Sequence, residues 1–110
     1  MIDVQVHGGI LEVDITEGDV WLLRSSRDPW KLTVPLDHVV RAIPGKPLGF
    51  GTKKHIFDQH GGLLVCARRR EPTIKIHLDG RDTFRFMTLS VSDPEDTAAT
   101  IKGALRQIGR

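Results

Sequence analysis

The stretch SDPEDTAATIKGALRQIG, residues 92–109, predicts a helix around which the rest of the fold is organised. Asp93 or Ser92 can act as the N-cap, because a short polar side chain accepts a hydrogen bond from a free amide of the first turn. Pro94 falls near the first helical position, where its missing N–H does no harm. Gly109 suits the left-handed conformation that ends many helices. We therefore expect a helix over about residues 93–108.

One face of this predicted helix is apolar. Its members step by three and four residues: Ala98, Ile101, Leu105 and Ile108. A helix of this length is marginally stable alone in water, so the apolar stripe has to pack on other structure. We expect the helix to cover one open end of a β core, with Ile101 and Leu105 buried.

The preceding residues predict about seven short strands separated by turns, one of them over Val20–Ser25. Apolar and polar residues alternate most clearly over residues 11–16, 30–37 and 73–78. In the last of these, the pattern places Ile74, Ile76 and Leu78 inward and Lys75 and His77 outward. Because no helical crossover connects the strands, antiparallel pairing is expected. The apolar face switches within residues 83–91, from Phe84 and Phe86 to Met87, which predicts a β-bulge near Phe86-Met87.

Composition and length predict a single domain spanning residues 1–110. The single cysteine, Cys66, excludes an intrachain disulfide and fits a reducing compartment. The sequence MIDVQVHGG lacks the pattern of a signal peptide, and no run approaches the roughly 20 apolar residues of a membrane span. These features predict a soluble, cytoplasmic protein.

Charge is distributed unevenly along the chain. Residues 1–40 contain seven acidic and three basic residues, whereas residues 41–85 contain ten basic and four acidic residues. If the fold keeps these segments apart, one face is basic and attracts anionic partners. The candidate anion-binding residues are Lys53, Lys54, Arg68, Arg69, Arg70, Arg81 and Arg85. For Arg68–Arg70 the alternative is a solvated strand end that discourages edge pairing.

Residues 44–62 predict a long loop, PGKPLGFGTKKHIFDQHGG, with a short strand at about 54–58. Such loops are often functional or mobile. His55 and His60 flank Asp58, but their spacing matches no zinc motif. Gly49–Lys53 lacks the residue order of a phosphate-binding loop, and Cys66 fits a buried apolar position better than a reactive thiol. We therefore expect no enzyme, no cofactor and no metal.

Several segments resemble those of small bacterial pleckstrin-homology-like (PH-like) proteins. They are Val34–Val40, Gly49–Thr52, Arg68 with the Ile74–Gly80 hairpin, and Leu89–Glu95 leading into the helix. The resemblance implies a mainly β fold: a partly open antiparallel barrel of about seven strands, capped by one C-terminal helix, without enzymatic activity. Eukaryotic relatives bind phosphoinositides through basic residues at the first hairpin, whereas the early turn here, Glu17-Gly18-Asp19, is acidic.

These observations predict a non-catalytic binding module for a protein or peptide partner, with self-association through an exposed edge strand as one option. The alternative is peripheral docking to an anionic lipid surface, or to another anionic ligand, through basic residues 41–85. A third hypothesis is a small enzyme using the His55–His60 loop. Nucleic acid is not expected as a partner, because four Phe and two Trp provide few stacking platforms.

Overall fold

A computed structural model describes residues 2–15, 30–46, 55–58, 62–67, 71–82 and 84–109. Within these ranges the chain forms eight strands and one helix. They are β1 (Ile2–His7), β2 (Ile10–Ile15), β3 (Trp30–Pro35), β4 (Val39–Gly45), β5 (His55–Asp58), β6 (Leu63–Cys66), β7 (Thr73–Leu78), β8 (Phe86–Ser90) and α1 (Pro94–Gln107). A 3-10 turn, Leu36–His38, connects β3 to β4. The predicted mainly β fold with one C-terminal helix is therefore confirmed.

The first three strands form an antiparallel sheet in the order β1-β2-β3. β1 and β2 are joined by a two-residue turn in which Gly8 and Gly9 have φ angles of 47° and 86°. Glycine adopts two successive positive φ angles without steric cost, and a two-residue turn of this kind matches the twist of the flanking strands. The turn therefore fixes the register in which His7 lies opposite Ile10.

The remaining strands form a second open sheet in the order β4-β7-β8-β6-β5. β6 and β8 run parallel, whereas the other neighbouring strands are antiparallel. The described strands therefore form two open sheets rather than a closed barrel, and the expectation of wholly antiparallel pairing is wrong. The parallel pair needs no helical crossover, because β7 connects the two strands. The chain leaves β6, runs back as β7, and then returns as β8, which lies between β6 and β7.

The core lies between the sheets and the helix. α1 packs against β4, β7 and β1, and its side chains Ala98, Ile101 and Leu105 are buried, with Ile101 fully so. These residues join an apolar cluster that includes Leu11, Leu36, Leu64, Ile74, Ile76, Met87 and Leu89. The prediction that Ile101 and Leu105 cover the β core is confirmed.

The helix ends agree with the sequence signals. The Asp93 carboxylate accepts a hydrogen bond from the Asp96 amide at 3.0 Å, so Asp93 rather than Ser92 is the N-cap. Gly109 has a φ of 85° just beyond the helix. Ile108, by contrast, is 42% exposed. Its predicted place in the apolar stripe is wrong, because the helix ends at Gln107 and Ile108 is the C-cap.

The predicted change of face occurs just before β8. Phe84 is buried at 2% exposure, whereas Phe86 is 46% exposed, so the two rings do not share a face. The Arg85 and Phe86 amides both donate to the Gly62 carbonyl, at 2.6 and 3.0 Å, which is the hydrogen-bonding pattern of a bulge. From Phe86 to Ser90 the register with β7 is unbroken. The irregularity therefore lies at Arg85-Phe86 rather than at Phe86-Met87.

Two further predictions can be compared with the described residues. β4 extends to Gly45, so the predicted loop begins later than residue 44, and β5 agrees with the predicted short strand. The strand predicted over Val20–Ser25, the Glu17–Asp19 turn and most of the 44–62 loop lie outside the described residues. In the described part of the chain, no helix is both long and apolar enough to cross a bilayer.

Candidate binding groove

The outer face of the five-stranded sheet carries a groove of about 400 Å³. Strand alternation turns Ile76 and Met87 into the core and their neighbours outward. The register places these outward residues in two cross-strand rows, Arg41–His77–Phe86–Leu63 and Ile43–Lys75–Thr88–Val65. We call this surface the outer groove and define it by Arg41, Ile43, Leu63, Lys75, His77, Phe86 and Thr88.

Part of the outer groove is apolar. Phe86 and Ile43 are 46% and 39% exposed, which is high for large apolar side chains. The Phe86 ring lies against the His77 imidazole, with ring centroids 4.2 Å apart and a tilt of 42°. This contact covers one side of the phenyl ring and leaves the rest open. The β8 side of the groove therefore offers apolar surface that a ligand can cover.

The other part of the groove is cationic. Arg41 on β4 and Lys75 on β7 are exposed, and neither forms an ion pair with any residue that the structure describes. Among the described side chains that line the groove, none is a carboxylate. This described surface therefore combines two positive charges with apolar side chains and contains no counter-charge.

A second polar cluster joins the β7–β8 connection to the 3-10 turn. His38 Nδ1 lies 2.7 Å from an oxygen of Asp82. The Arg81 guanidinium donates to Asp79 at 2.7–2.8 Å and to the Asp37 carbonyl at 2.8 Å. The hydrogen bond from the Arg81 side chain lowers the pKa of Asp79 to about 2. We call this set, residues 37, 38, 79, 81 and 82, the hairpin clamp.

The hairpin clamp has the dimensions of a cation site, because ligand atoms of His38, Asp79 and Asp82 lie within 4.8 Å of one another. Its own hydrogen bonds, however, already engage these groups. Asp82 contacts the His38 ring, and the Arg81 guanidinium places a positive charge directly on Asp79. The arrangement acts chemically as a tether between two segments that are distant in sequence.

The predicted anion-binding residues fall in three places. Arg81 belongs to the hairpin clamp, where its charge is paired. Arg85 is exposed, and its side chain lies over Gly80 and Gly62 rather than in the outer groove. The other five lie outside the described residues: Lys53, Lys54, Arg68, Arg69 and Arg70. His60, from the predicted His55–His60 loop, lies outside them as well.

Sequence reasoning missed Arg41, and it assigned Lys75 and His77 only to an outward strand face. The alternation of Ile74, Ile76 and Leu78 was the signal for that face. Arg41 joins them only through the pairing of β4 with β7. The sequence also gives no sign of the His38–Asp82 contact, because nothing local connects His38 to a carboxylate 44 residues away.

No protein-family model, no curated protein and no solved structure matches this chain. The resemblance to PH-like proteins therefore stays a prediction.

Proposed function

We propose that this chain is a non-catalytic binding module, and that its outer groove holds an acidic peptide segment of a protein partner. The observation that supports the proposal is the juxtaposition of two cations, Arg41 and Lys75, with exposed Phe86 and Ile43. Neither cation forms an ion pair with a described residue. A ligand therefore has to provide negative charge for the cationic part of the groove and apolar surface for the rest.

The cationic half selects carboxylates. Hydrogen bonds between ionised partners are roughly twice as strong as neutral ones, and an arginine can contact a carboxylate with two parallel N–H groups. Because Arg41 has no competing anion in the described part of the groove, a ligand carboxylate meets it without displacing an internal partner. Lys75 lies diagonally across from it on the next strand, so two acidic side chains of one segment can be bound together.

The apolar half selects a hydrophobic side chain beside those carboxylates. Covering apolar surface contributes about 25 cal/mol per Å² removed from water, and aromatic anchors contribute strongly to binding at interfaces. Phe86 lies on β8, one strand away from Lys75 and His77. We therefore expect the preferred ligand to place an apolar side chain close to its acidic residues.

The non-catalytic nature of the proposal rests on the composition of the groove. Its described lining residues offer His77 and the hydroxyl of Thr88, but no carboxylate that would orient the imidazole as a base. The described groove therefore has recognition groups without a catalytic arrangement.

Docking to an anionic lipid surface is the second candidate, because exposed basic and apolar side chains also suit a membrane interface. Each basic residue near such a surface contributes about 1 kcal/mol. We favour the peptide, because Arg41 and Lys75 lie in a groove on a sheet face rather than on a projecting loop that can reach a flat bilayer.

The test is fluorescence anisotropy with a short labelled peptide that alternates glutamate with leucine. We expect it to bind, and the matched peptide with glutamine in place of glutamate to bind far more weakly. The double variant Arg41→Glu/Lys75→Glu should lose binding. Lys102→Glu, an exposed change of the same sign on the helix, should keep it.

Equal affinity for the glutamate and glutamine peptides would contradict the proposal. Binding that survives the double reversal would contradict it as well. Sedimentation with phosphatidylserine vesicles is the matched lipid assay: vesicle binding without peptide binding would replace the proposal with the lipid candidate.

A further inference from the structure

His77 occupies a distinctive position in the outer groove. It lies on β7 between Arg41 on β4 and Phe86 on β8, in one cross-strand row. It is half-buried, and its ring packs against Phe86. The imidazole is thus held at the boundary between the cationic and apolar halves of the groove.

The groups that face His77 are cationic or uncharged. β4 contributes Arg41 and β7 contributes Lys75, whereas the lining residues from β8 and β6, Phe86, Thr88 and Leu63, carry no charge. The side chains of β5 are outside the described set. A protonated His77 therefore has two positive neighbours and, among the described lining residues, no negative one. A bound carboxylate would supply the missing counter-charge.

We propose that His77 is a third, charge-conditional contact for the anionic ligand, so that the outer groove binds acidic peptides more tightly in its protonated form. This inference rests on the proposed function. Proton uptake and ligand binding are linked reciprocally: a ligand that favours the imidazolium is itself favoured by acid. Histidine is the side chain that changes charge between pH 5 and 8, whereas peptide glutamates stay largely ionised above about pH 5.

The expected size of the change in peptide affinity with pH follows from the exposure of the groove to solvent. A charge pair about 4 Å apart in a solvent-like medium changes an equilibrium constant by roughly fivefold. We therefore expect the affinity for the glutamate–leucine peptide to rise about three- to tenfold between pH 8.0 and pH 5.5 at constant ionic strength.

The deciding experiment measures peptide affinity by anisotropy at both pH values for three proteins. The wild type should show the acid-induced gain, and His77→Gln should show a nearly flat profile with an affinity close to that of the wild type at pH 8.0. His38→Asn, which changes a histidine in the hairpin clamp outside the groove, should keep the wild-type profile.

A second measurement does not depend on how a variant folds. The ring protons of His77 in the wild type are titrated by NMR with and without saturating peptide, and the peptide should move the midpoint to higher pH. An unmoved midpoint, or a His77→Gln protein that keeps the pH dependence, would overturn the inference. Peptide binding that is equal at both pH values would overturn it while leaving the proposed function in place. Absence of peptide binding at either pH would instead be the failure of the proposed function.

Discussion

The outer faces of the two sheets are both solvent-facing and rich in charge, yet they differ in how the charges are balanced. On the three-stranded sheet, Lys31 lies 2.7 Å from Glu12 and 3.8 Å from Asp14. The hydrogen bond between Lys31 and Glu12 lowers the pKa of Glu12 and raises the pKa of Lys31. Gln5 donates to Asp3 on the same face. The basic side chain Lys31 therefore has acidic partners on its own face.

The basic side chains of the outer groove lack such partners. Arg41 and Lys75 meet no carboxylate among the lining residues that the structure describes, and Phe86 is left half exposed beside them. The difference follows the uneven charge of the chain, because the three-stranded sheet comes from acidic residues 1–40 and the five-stranded sheet largely from basic residues 41–85. On the three-stranded sheet the lysine already has acidic partners across the strands; in the outer groove no described residue provides one, so a ligand can.

The largest expected effect is on stability, and it comes from truncating a core side chain that packs beneath both sheets. Ile101 is fully buried under the two sheets, so Ile101→Ala should lower the free energy of unfolding by about 2–5 kcal/mol. Urea unfolding followed by circular dichroism measures it. The matched control is Ile108→Ala, at an exposed position, which should change stability by less than about 0.5 kcal/mol. Equal effects of the two changes would contradict the packing described for α1.

The next effect separates the two faces directly. Lys75→Glu should weaken binding of the glutamate–leucine peptide by about tenfold, because it replaces an attractive charge with a repulsive one. Lys31→Glu makes the same change on the three-stranded sheet, where Lys31 forms an ion pair with Glu12. This variant should leave peptide affinity within about twofold of the wild type. Isothermal titration calorimetry can measure both. A comparable loss in both variants would show that net charge, rather than the groove, determines binding.

A third prediction concerns the hairpin clamp next to the groove. Because Arg81 holds the pKa of Asp79 at about 2, below the ordinary 3.8, the carboxylate stabilises the fold above pH 3.8. That contribution is lost as the pH falls toward 2. Arg81→Gln should return the Asp79 pKa toward its ordinary value, measurable by NMR of the side-chain carboxyl carbon. Arg106→Gln, at an exposed position on the helix, is the control and should leave that pKa unchanged.

The smallest effect is expected on the outer face of the three-stranded sheet. Glu12→Gln removes the main partner of Lys31, but exposed ion pairs contribute little to stability and are screened by salt. The urea midpoint should fall slightly at low ionic strength and coincide with that of the wild type in 1 M sodium chloride. A large change that persists in high salt would mean that this face depends on its charges more than its exposure implies.

The parts of the fold that are encoded locally were predictable. Asp93, Pro94 and Gly109 mark the helix ends through short-range hydrogen bonding and backbone geometry, and Ile101 follows from a helical period. The parallel pairing of β6 with β8 was not predictable, because alternation identifies a strand without its neighbour. The same limit applies to the site: Lys75 and His77 were assigned to an outward face, but only the register of β4 brings Arg41 beside them.

The order of strands in the second sheet has a consequence for assembly. β8 lies between β7 and β6 although it follows both in the chain, so residues 86–90 pair locally with β7 and non-locally with β6. Such non-local pairing is slow compared with hairpin formation. Since β8 also contributes Phe86 to the outer groove, a nascent or truncated chain ending before this strand would have Arg41 and Lys75 but no complete recognition surface. Ligand binding would then distinguish finished molecules from unfinished ones.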